Sequence, residues 1–363
     1  MDRNRRFLLV ASLVLAGCHG GDDGDRPQRV HGDVATIYSS APRHGVSAAA
    51  AQEVLAGERR ALAEHGSHAG GLVIRLRELP ATDDGERPWD PALVAANAHR
   101  AAEDPTAVAY LGELDYGASA VSLPITNGAG LLQISPRDGL TSLTRRAPGR
   151  ARAGPERYYP SGTRSFVRLG PTDLDEADTL VKLVRSAGAV RVALLFDREI
   201  YGRELASQVA DRARRSGLTL VASEEYRGAP DEIPDIARRL AEQRPQAIVQ
   251  LGVAGRGTVP LLVAFENAMP GVPVYAASGL LADPKLALPA AAARPEVIGP
   301  ALRPERSGYR AMRLALRAIE HGGRNRRRVI AAARRLAGGA EPGRLALYRT
   351  RADGRLEARF SPR

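Results

Sequence analysis

Three groups of residues have types and spacings compatible with chemistry, but each falls short of an active site. His65 and His68 have no cysteine or carboxylate at ligand spacing beside them, which favours a solvated pair over a metal site. Gly117–Ser119 follows an apolar run, but no base can be assigned to the serine, and no Gly-x-Ser-x-Gly motif is present. Gly252–Gly257 lacks the glycine spacing of a phosphate-binding loop and is interpreted as a strand-to-helix turn. We therefore expect no enzyme activity, no metal and no cofactor.

The amino-terminal residues predict export. Arg3, Arg5 and Arg6 precede the apolar run Phe7–Leu15. That run is too short to cross a bilayer, which takes about 20 residues, and it is typical of a cleavable signal peptide. Cys18 follows it and is the only cysteine of the chain, so the exported part has no internal disulfide.

The segment Leu15-Ala16-Gly17-Cys18 resembles the lipobox of bacterial lipoproteins. The resemblance implies cleavage before Cys18, a lipid on its sulfur and attachment to the outer face of the cell membrane. The alternative is an ordinary secretory signal in which the cysteine has no such role. We expect residues 1–17 to be the signal peptide, and residues 18–31 to be the lipidated cysteine and a flexible tether rich in Gly and Asp.

The charge of the chain does not indicate a nucleic-acid partner. The formal net charge is +11, but Lys182 and Lys285 are the only lysines among 52 basic residues, and the arginines are dispersed among 41 acidic residues. Aromatic residues, on which bases would stack, make up only 4% of the chain. We therefore expect no nucleic acid to be bound.

Strand-like and helix-like segments alternate along the rest of the chain. In the first half, apolar runs typical of strands occur at Val34–Tyr38, Leu72–Leu76, Ala107–Leu111 and Leu131–Ser135. Helical spacing is found in Ser47–His65 and in Pro91–Glu103, for which Asp90 is the expected N-cap. In the second half, strands are expected to begin near Val190, Leu218, Ala247 and Pro273. Two helices, Gly308–His321 and Asn325–Leu336, and a terminal hairpin, Leu345–Thr350 with Leu356–Phe360, complete the pattern.

This alternation predicts an α/β protein with two doubly wound parallel-sheet lobes. The Pro/Gly/Arg-rich interval Arg145–Gly162 is expected to cross between the lobes. We assign residues 32–160 and 301–342 to the first lobe, and residues 161–300 and 343–363 to the second. Ligands of open parallel sheets bind beyond the carboxyl ends of the strands, so we expect the functional residues in a cleft between the lobes.

Several motifs, in this order and spacing, resemble the branched-chain amino-acid-binding branch of the type I periplasmic substrate-binding proteins. They include Gly112–Ser119, Gly130–Pro136, Phe166–Arg168 and Asp197–Gly202. The resemblance covers nearly all of the chain after the tether. It implies two lobes joined by a multi-strand hinge that close on a small ligand, and delivery of that ligand to the permease of an ATP-binding-cassette (ABC) importer.

The resemblance also implies which residues line the ligand site. They come from the loops after three strands of the first lobe and from two positions of the second lobe: Ser40, His44, Tyr116, Gly117, Arg137, Asp138, Gly139, Tyr201 and Ser278. In the amino-acid binders, hydroxyl groups and backbone N–H groups hold the ligand carboxylate, and an acid at the position of Ser278 holds the ammonium group.

Three departures from that pattern bear on the ligand. Tyr116 replaces a serine, Gly139 replaces a threonine, and Ser278 replaces the acid. A buried ammonium group without a counter-charge is costly, whereas the guanidinium of Arg137 suits a carboxylate. We therefore expect an amino acid or a small carboxylate as the ligand class, and an anion rather than leucine, isoleucine or valine. Asp115 and Asp138 are the residues that would argue against an anion if they turned inward.

Two functions remain open at this point. The first is a lipid-anchored, extracytoplasmic solute-binding protein of an ABC importer. The alternative is an envelope lipoprotein with the same fold that interacts with or regulates other proteins without a ligand. The altered pocket residues, and a connection between Pro300 and Tyr309 that is shorter than in the family, keep this alternative open.

Overall fold

The computed structural model describes residues 29–83, 88–146, 154–338 and 343–359. Cys18, the signal peptide and most of the predicted tether lie outside these residues, as does Phe360. Among the helices of the described part, none is both long and apolar enough to cross a membrane.

In the described part of the chain, the first sheet has six strands, which alternate with helices. The elements are β1 (Val34–Ala41), α1 (Ala48–Glu64), β2 (His68–Ala69), β3 (Leu72–Pro80), α2 (Pro91–Glu103), β4 (Ala107–Leu111), α3 (Ser119–Gly128), β5 (Leu132–Ser135) and β6 (Phe166–Arg168). The spatial order is β2-β3-β1-β4-β5-β6, parallel except for the short β2. Because the strand order reverses beside β1, the loops after β1 and β4 diverge there and leave a crevice.

The second sheet has seven strands in the described part. Five of its strands alternate with helices along the chain after α4 (Asp173–Ser186). The elements are β7 (Arg191–Asp197), α5 (Ile200–Arg215), β8 (Thr219–Tyr226), α6 (Ile233–Glu242), β9 (Ala247–Gln250), α7 (Thr258–Ala268), β10 (Val274–Ala276) and β11 (Glu296–Pro300). After α8 (Pro304–Gly322) and α9 (Arg326–Gly338), the antiparallel strands β12 (Leu345–Thr350) and β13 (Leu356–Arg359) complete it. The order is β13-β12-β11-β10-β9-β7-β8.

Helices cover both faces of each sheet, which explains why the central strands β4, β5 and β9 are buried along their whole length. In the first lobe, Ile37 and Ile134 pack against Met312 and Ile319 of α8 on one face. In the second lobe, α4 and α5 cover one face and α6 and α7 cover the other. The chain therefore returns to the first lobe for α8 and α9 before it ends in the second sheet.

The predicted fold class is confirmed, and several element ends agree closely. Asp90 caps α2, since its side chain accepts hydrogen bonds from the backbone N–H groups of Ala92 and Leu93 at 2.8 and 2.9 Å. The sequence analysis assigned no helix between the apolar runs Ala107–Leu111 and Leu131–Ser135, whereas the structure has α3 there. The proposed boundary between the lobes at residues 160 and 161 remains a proposal. Strand β6, which that boundary assigns to the second lobe, pairs with β5 of the first sheet.

The helix α4 begins with a capping box that positions two acidic residues. Thr172 and Asp175 exchange hydrogen bonds between side chain and backbone N–H, at 2.9 and 3.1 Å. Asp173 and Glu176 lie in the same first turn, where the partial positive charge of the helix terminus stabilises carboxylates. Because these two residues are three apart, they project from the same face of α4.

Candidate ligand-binding site

A cavity of about 250 Å³ lies between the lobes, beyond the carboxyl ends of the parallel strands. Its walls include residues from the loops after β4 and β5 in the first lobe, and from α4, α5 and the segment after β10 in the second. The polar and aromatic side chains on these walls are Ser47, Trp89, Asp115, Tyr116, Arg137, Asp173, Glu176, Glu199, Tyr201 and Ser278. Its position matches the crevice in which open α/β sheets bind ligands.

Five of the nine residues expected at the site line this cavity: Tyr116, Arg137, Gly139, Tyr201 and Ser278. The structure places the other four outside the cavity wall. Ser40 is buried in β1, where its hydroxyl accepts a hydrogen bond from the Asn97 amide at 3.1 Å. His44 is exposed, and its backbone N–H donates to the Thr82 hydroxyl at 3.0 Å.

The remaining two, Gly117 and Asp138, hold the first-lobe loops together. The buried Asp138 carboxylate accepts hydrogen bonds from the backbone N–H groups of Gly117, Ser119 and Leu140, at 3.0, 2.9 and 3.1 Å. It therefore turns toward the backbone of the chain itself. Its position fixes the loop after β4 against the loop after β5, and it gives both loops a defined geometry at the cavity wall.

Ser278 has an acidic partner that the sequence analysis did not identify. Its hydroxyl donates to the Glu176 carboxylate at 2.6 Å, and the hydroxyl of Tyr201 donates to the other oxygen of that carboxylate at 2.7 Å. Burial raises the pKa of Glu176 to about 7, against the opposing effect of these two hydrogen bonds. The expectation that this end of the cavity lacks a negative group is therefore wrong, because Glu176 supplies it from α4.

Tyr116 extends from the first lobe to the second. Its hydroxyl donates to the buried Asp173 carboxylate, whose other oxygen accepts hydrogen bonds from the hydroxyl and the backbone N–H of Thr141. The ring of Tyr116 meets that of Tyr201 edge-on, with 5.1 Å between the centroids. The larger side chain at this position thus forms a contact between the lobes that a serine could not reach.

Asp115 presents an unsatisfied carboxylate oxygen at the first-lobe wall. One oxygen accepts a hydrogen bond from the Ser47 hydroxyl at 2.5 Å. The other oxygen is buried and has no hydrogen-bond partner among the described residues. Burial raises the pKa of Asp115 to about 7, although Ser47 and the charge of Arg137 act in the opposite direction. A buried polar atom without a partner is uncommon and indicates a position where a ligand donor would fit.

The ionisable carboxyl groups of the cavity wall outnumber its basic groups. Asp115, Asp173, Glu176 and Glu199 line it, and Arg137 is the cationic side chain among the described lining residues. In the described part of the chain, no group of three or more potential metal ligands is present. The wall therefore offers carboxylates to a ligand that donates hydrogen bonds, and aromatic rings that pack against apolar or cationic groups.

The comparisons with known proteins agree with this geometry. A family model described as periplasmic binding protein matches residues 39–301. The chain belongs to the periplasmic binding protein family. No curated protein sequence is significantly similar to this family member. The matched range contains all the cavity-lining residues named above and the whole of the second sheet except its two last strands.

Solved structures of the same fold resemble this periplasmic binding protein at low sequence identity. The leucine-binding protein LivK of Thermotoga maritima is 16% identical, with a TM-score of 0.70, and the match covers 90% of this chain and 98% of that one. A substrate-binding protein of Desulfitobacterium hafniense in complex with leucine is 18% identical, with a TM-score of 0.67 and coverage of 89% and 99%. A solute-binding protein of R. palustris in complex with 4-hydroxybenzoate is 15% identical, with a TM-score of 0.69 and coverage of 91% and 96%.

These comparisons confirm the fold and the family that the motifs resembled. The R. palustris and Desulfitobacterium hafniense neighbours are binding proteins of ABC transporters. The acids Asp173 and Glu176 were missed because they stand at the start of a helix, far along the chain from Ser278. One signal was present in the sequence: an acidic, capped helix start directly after a strand that ends at the cleft.

Proposed function

We propose that this protein is an extracytoplasmic solute-binding lipoprotein, which captures a small polar ligand between its lobes and delivers it to an ABC importer. The observation that carries the proposal is the cavity with walls from both lobes, in which a buried Asp115 oxygen lacks a partner among the described residues. Solute binding would satisfy that oxygen and would join the lobes through shared contacts. Closure of hinged lobes around a solute is the mechanism expected for such a cleft.

A thermal-shift screen of a metabolite library against the purified domain tests the capture of a solute. A ligand at 100 times its Kd stabilises the folded state by about 2.7 kcal/mol, which is readily detected. Variants that shorten a side chain of the cavity wall, such as Tyr201→Ala, should lose the ligand-induced rise in melting temperature while they remain folded. A complete absence of hits, with the domain intact by circular dichroism, would contradict capture and would favour the ligand-independent envelope role.

Small-angle scattering tests closure. The contact of Tyr116 with Asp173 and Tyr201 joins the lobes without a ligand, and Tyr116→Phe removes the hydroxyl that donates to Asp173. We expect Tyr116→Phe to have a larger radius of gyration than the wild type, and a ligand found in the screen to reverse the increase. Superposable curves for the variant with and without the ligand would contradict hinge closure.

The lipid anchor rests on Cys18 as the only cysteine, directly after Leu15-Ala16-Gly17. Cys18→Ser should abolish labelling by a fatty-acid probe in cells and release the protein from the membrane fraction, while the melting temperature of the purified domain stays unchanged. An unlabelled wild-type protein would contradict the anchor and would leave solute capture untouched.

A further inference from the structure

We propose that the solute is a small organic cation without a carboxylate, whose charged nitrogen binds between Asp115 of the first lobe and Glu176 of the second. This inference rests on the proposed function and specifies its ligand class. It reverses the expectation of an anionic ligand, because that expectation depended on the absence of an acid that Glu176 in fact supplies. Three features of the cavity carry it.

The first feature is that the backbone N–H groups and the serine hydroxyl suited to a ligand carboxylate are already occupied. The backbone N–H groups of Gly117 and Ser119 donate to Asp138, and so does that of Leu140. The Ser119 hydroxyl accepts from the backbone N–H of Glu113 at 3.1 Å. A carboxylate ligand that used these N–H groups would have to displace the buried Asp138 carboxylate from three donors. Because that would leave a buried carboxylate without its partners, the loops that Asp138 joins disfavour anions.

The second feature is that acceptors for a cation are present on both walls. The free oxygen of Asp115 is buried at the first-lobe wall. On the second-lobe wall, the hydroxyls of Ser278 and Tyr201 hold Glu176 in place by donating to each of its oxygens. Each carboxylate oxygen can accept more than one hydrogen bond, so Glu176 can accept a further donor from the cavity.

The third feature is the balance of charge and surface. Arg137 offsets only part of the negative charge from Asp115, Asp173 and Glu176. The faces of aromatic rings attract cations, and the rings of Trp89, Tyr116 and Tyr201 also line the cavity. A cavity of about 250 Å³ lies just below the usual size range of small-molecule sites, which restricts the cation to a compact amine.

Three matched probes separate the possible charges of the ligand. Leucine carries both charged groups, isoamylamine is leucine without the carboxylate, and isocaproate is leucine without the ammonium group. Isothermal titration calorimetry at neutral pH should show binding of isoamylamine, and of the diamine putrescine, at least about tenfold tighter than that of leucine, with isocaproate weakest. Tighter binding of isocaproate or leucine than of both amines would overturn the inference and leave solute capture intact.

Variants test whether the two carboxylates hold the cation. Glu176→Gln and Asp115→Asn should each weaken binding of the amine by about tenfold or more. Glu103→Gln removes the same charge from an exposed position on α2, and it should leave amine affinity within about twofold, since exposed charges are screened. Equal losses in all three variants would show a non-specific charge effect and would overturn the inference.

The wild-type probe series keeps the inference testable if a variant fails to fold. If neither amine binds while other solutes in the library do, the cation assignment is wrong and the proposed function stands. If no solute of any class binds to the folded domain, both the cation assignment and the proposed function are wrong.

Discussion

The two walls of the cavity use buried carboxylates in opposite ways. On the first-lobe wall, Asp138 is bonded to three backbone N–H groups, while Asp115 lines the cavity and has one buried oxygen without a partner among the described residues. On the second-lobe wall, both oxygens of Glu176 accept hydrogen bonds from hydroxyls that themselves line the cavity. The same chemical group is therefore a structural brace in one place and a candidate ligand contact in the other.

The difference follows from what each wall is made of. The first wall includes the loops after β4 and β5, where backbone N–H groups without helical or strand partners need an acceptor. Asp138 supplies it. The second wall includes the first turn of α4, which is already capped by Thr172 and Asp175, so Asp173 and Glu176 are available to side chains and solutes. Burial raises the pKa of both Asp115 and Glu176 to about 7, because the loss of hydration outweighs the hydrogen bonds to each carboxylate and, for Asp115, the charge of Arg137.

Removing Asp138 should give the largest effect, because it destroys the brace of the first wall. In Asp138→Ala, three buried backbone N–H groups lose their acceptor, and we expect the free energy of unfolding to fall by about 4 kcal/mol. Urea denaturation followed by circular dichroism measures the loss. A change below about 1 kcal/mol would show that water replaces the carboxylate and that the loops do not depend on Asp138.

A buried acid outside the cavity provides the control for the effect of burial alone. Glu58 in α1 is 1% exposed, it is absent from the cavity wall, and burial raises its pKa to about 8. Because this pKa in the folded state exceeds that of an unfolded chain, the native state binds the proton more tightly, and stability falls as the pH rises from about 4.5 to 8.

Glu58→Gln removes the free-energy cost of ionising this buried carboxyl group in the folded state. We expect the variant to be more stable than the wild type by on the order of 3 kcal/mol at pH 8, since one unit of pKa corresponds to 1.36 kcal/mol, and to differ little from it at pH 5. Melting temperatures of both proteins across this pH range measure the difference. A constant difference at all pH values would contradict the raised pKa and would point to a packing effect instead.

The smallest effect is expected from the loss of one hydrogen bond of the second wall. Tyr201→Phe keeps the ring that packs against Tyr116 and removes the hydroxyl that donates to Glu176. We expect a loss of about 1 kcal/mol of stability and a several-fold loss of amine affinity, because Glu176 is then less well held and its pKa rises further. Calorimetry on both Tyr201→Phe and Tyr201→Ala separates the contribution of the hydroxyl to amine affinity from that of the ring. Equal amine affinities for the Tyr201→Phe variant and the wild type would show that the hydroxyl does not contribute to ligand binding.

Much of the fold was predictable because it depends on short-range patterns. The limits of α2, with Asp90 as its cap, and of β4 follow from local sequence. Apolar runs bounded by polar turns predicted most of the other parallel strands. Helix α3 was missed because it contains Pro124 and several other poor helix formers (Ser, Thr, Asn, Val and Gly), which favour a loop when only local propensity is considered. Tertiary packing therefore determines the helical conformation of that segment.

The candidate site was less predictable, for a physical reason. The family resemblance implied Tyr116, Arg137, Gly139, Tyr201 and Ser278 as site residues, and these residues do line the cavity. The resemblance could not indicate the direction in which each side chain points. Ser40 faces Asn97 within the first lobe, and Asp138 faces backbone N–H groups. Both orientations are set by neighbours that the fold brings near.

The sequence by itself determined the class of this protein, through alternating strands and helices in two lobes and family motifs in order. Only the tertiary structure decided the charge of the cavity. Glu176 reaches Ser278 across 102 positions of the chain, and Asp138 occupies the N–H groups that an anion would need. Periodicity and turn signals act between near neighbours, whereas the charge offered to a solute is the sum of side chains that meet only after both lobes have folded.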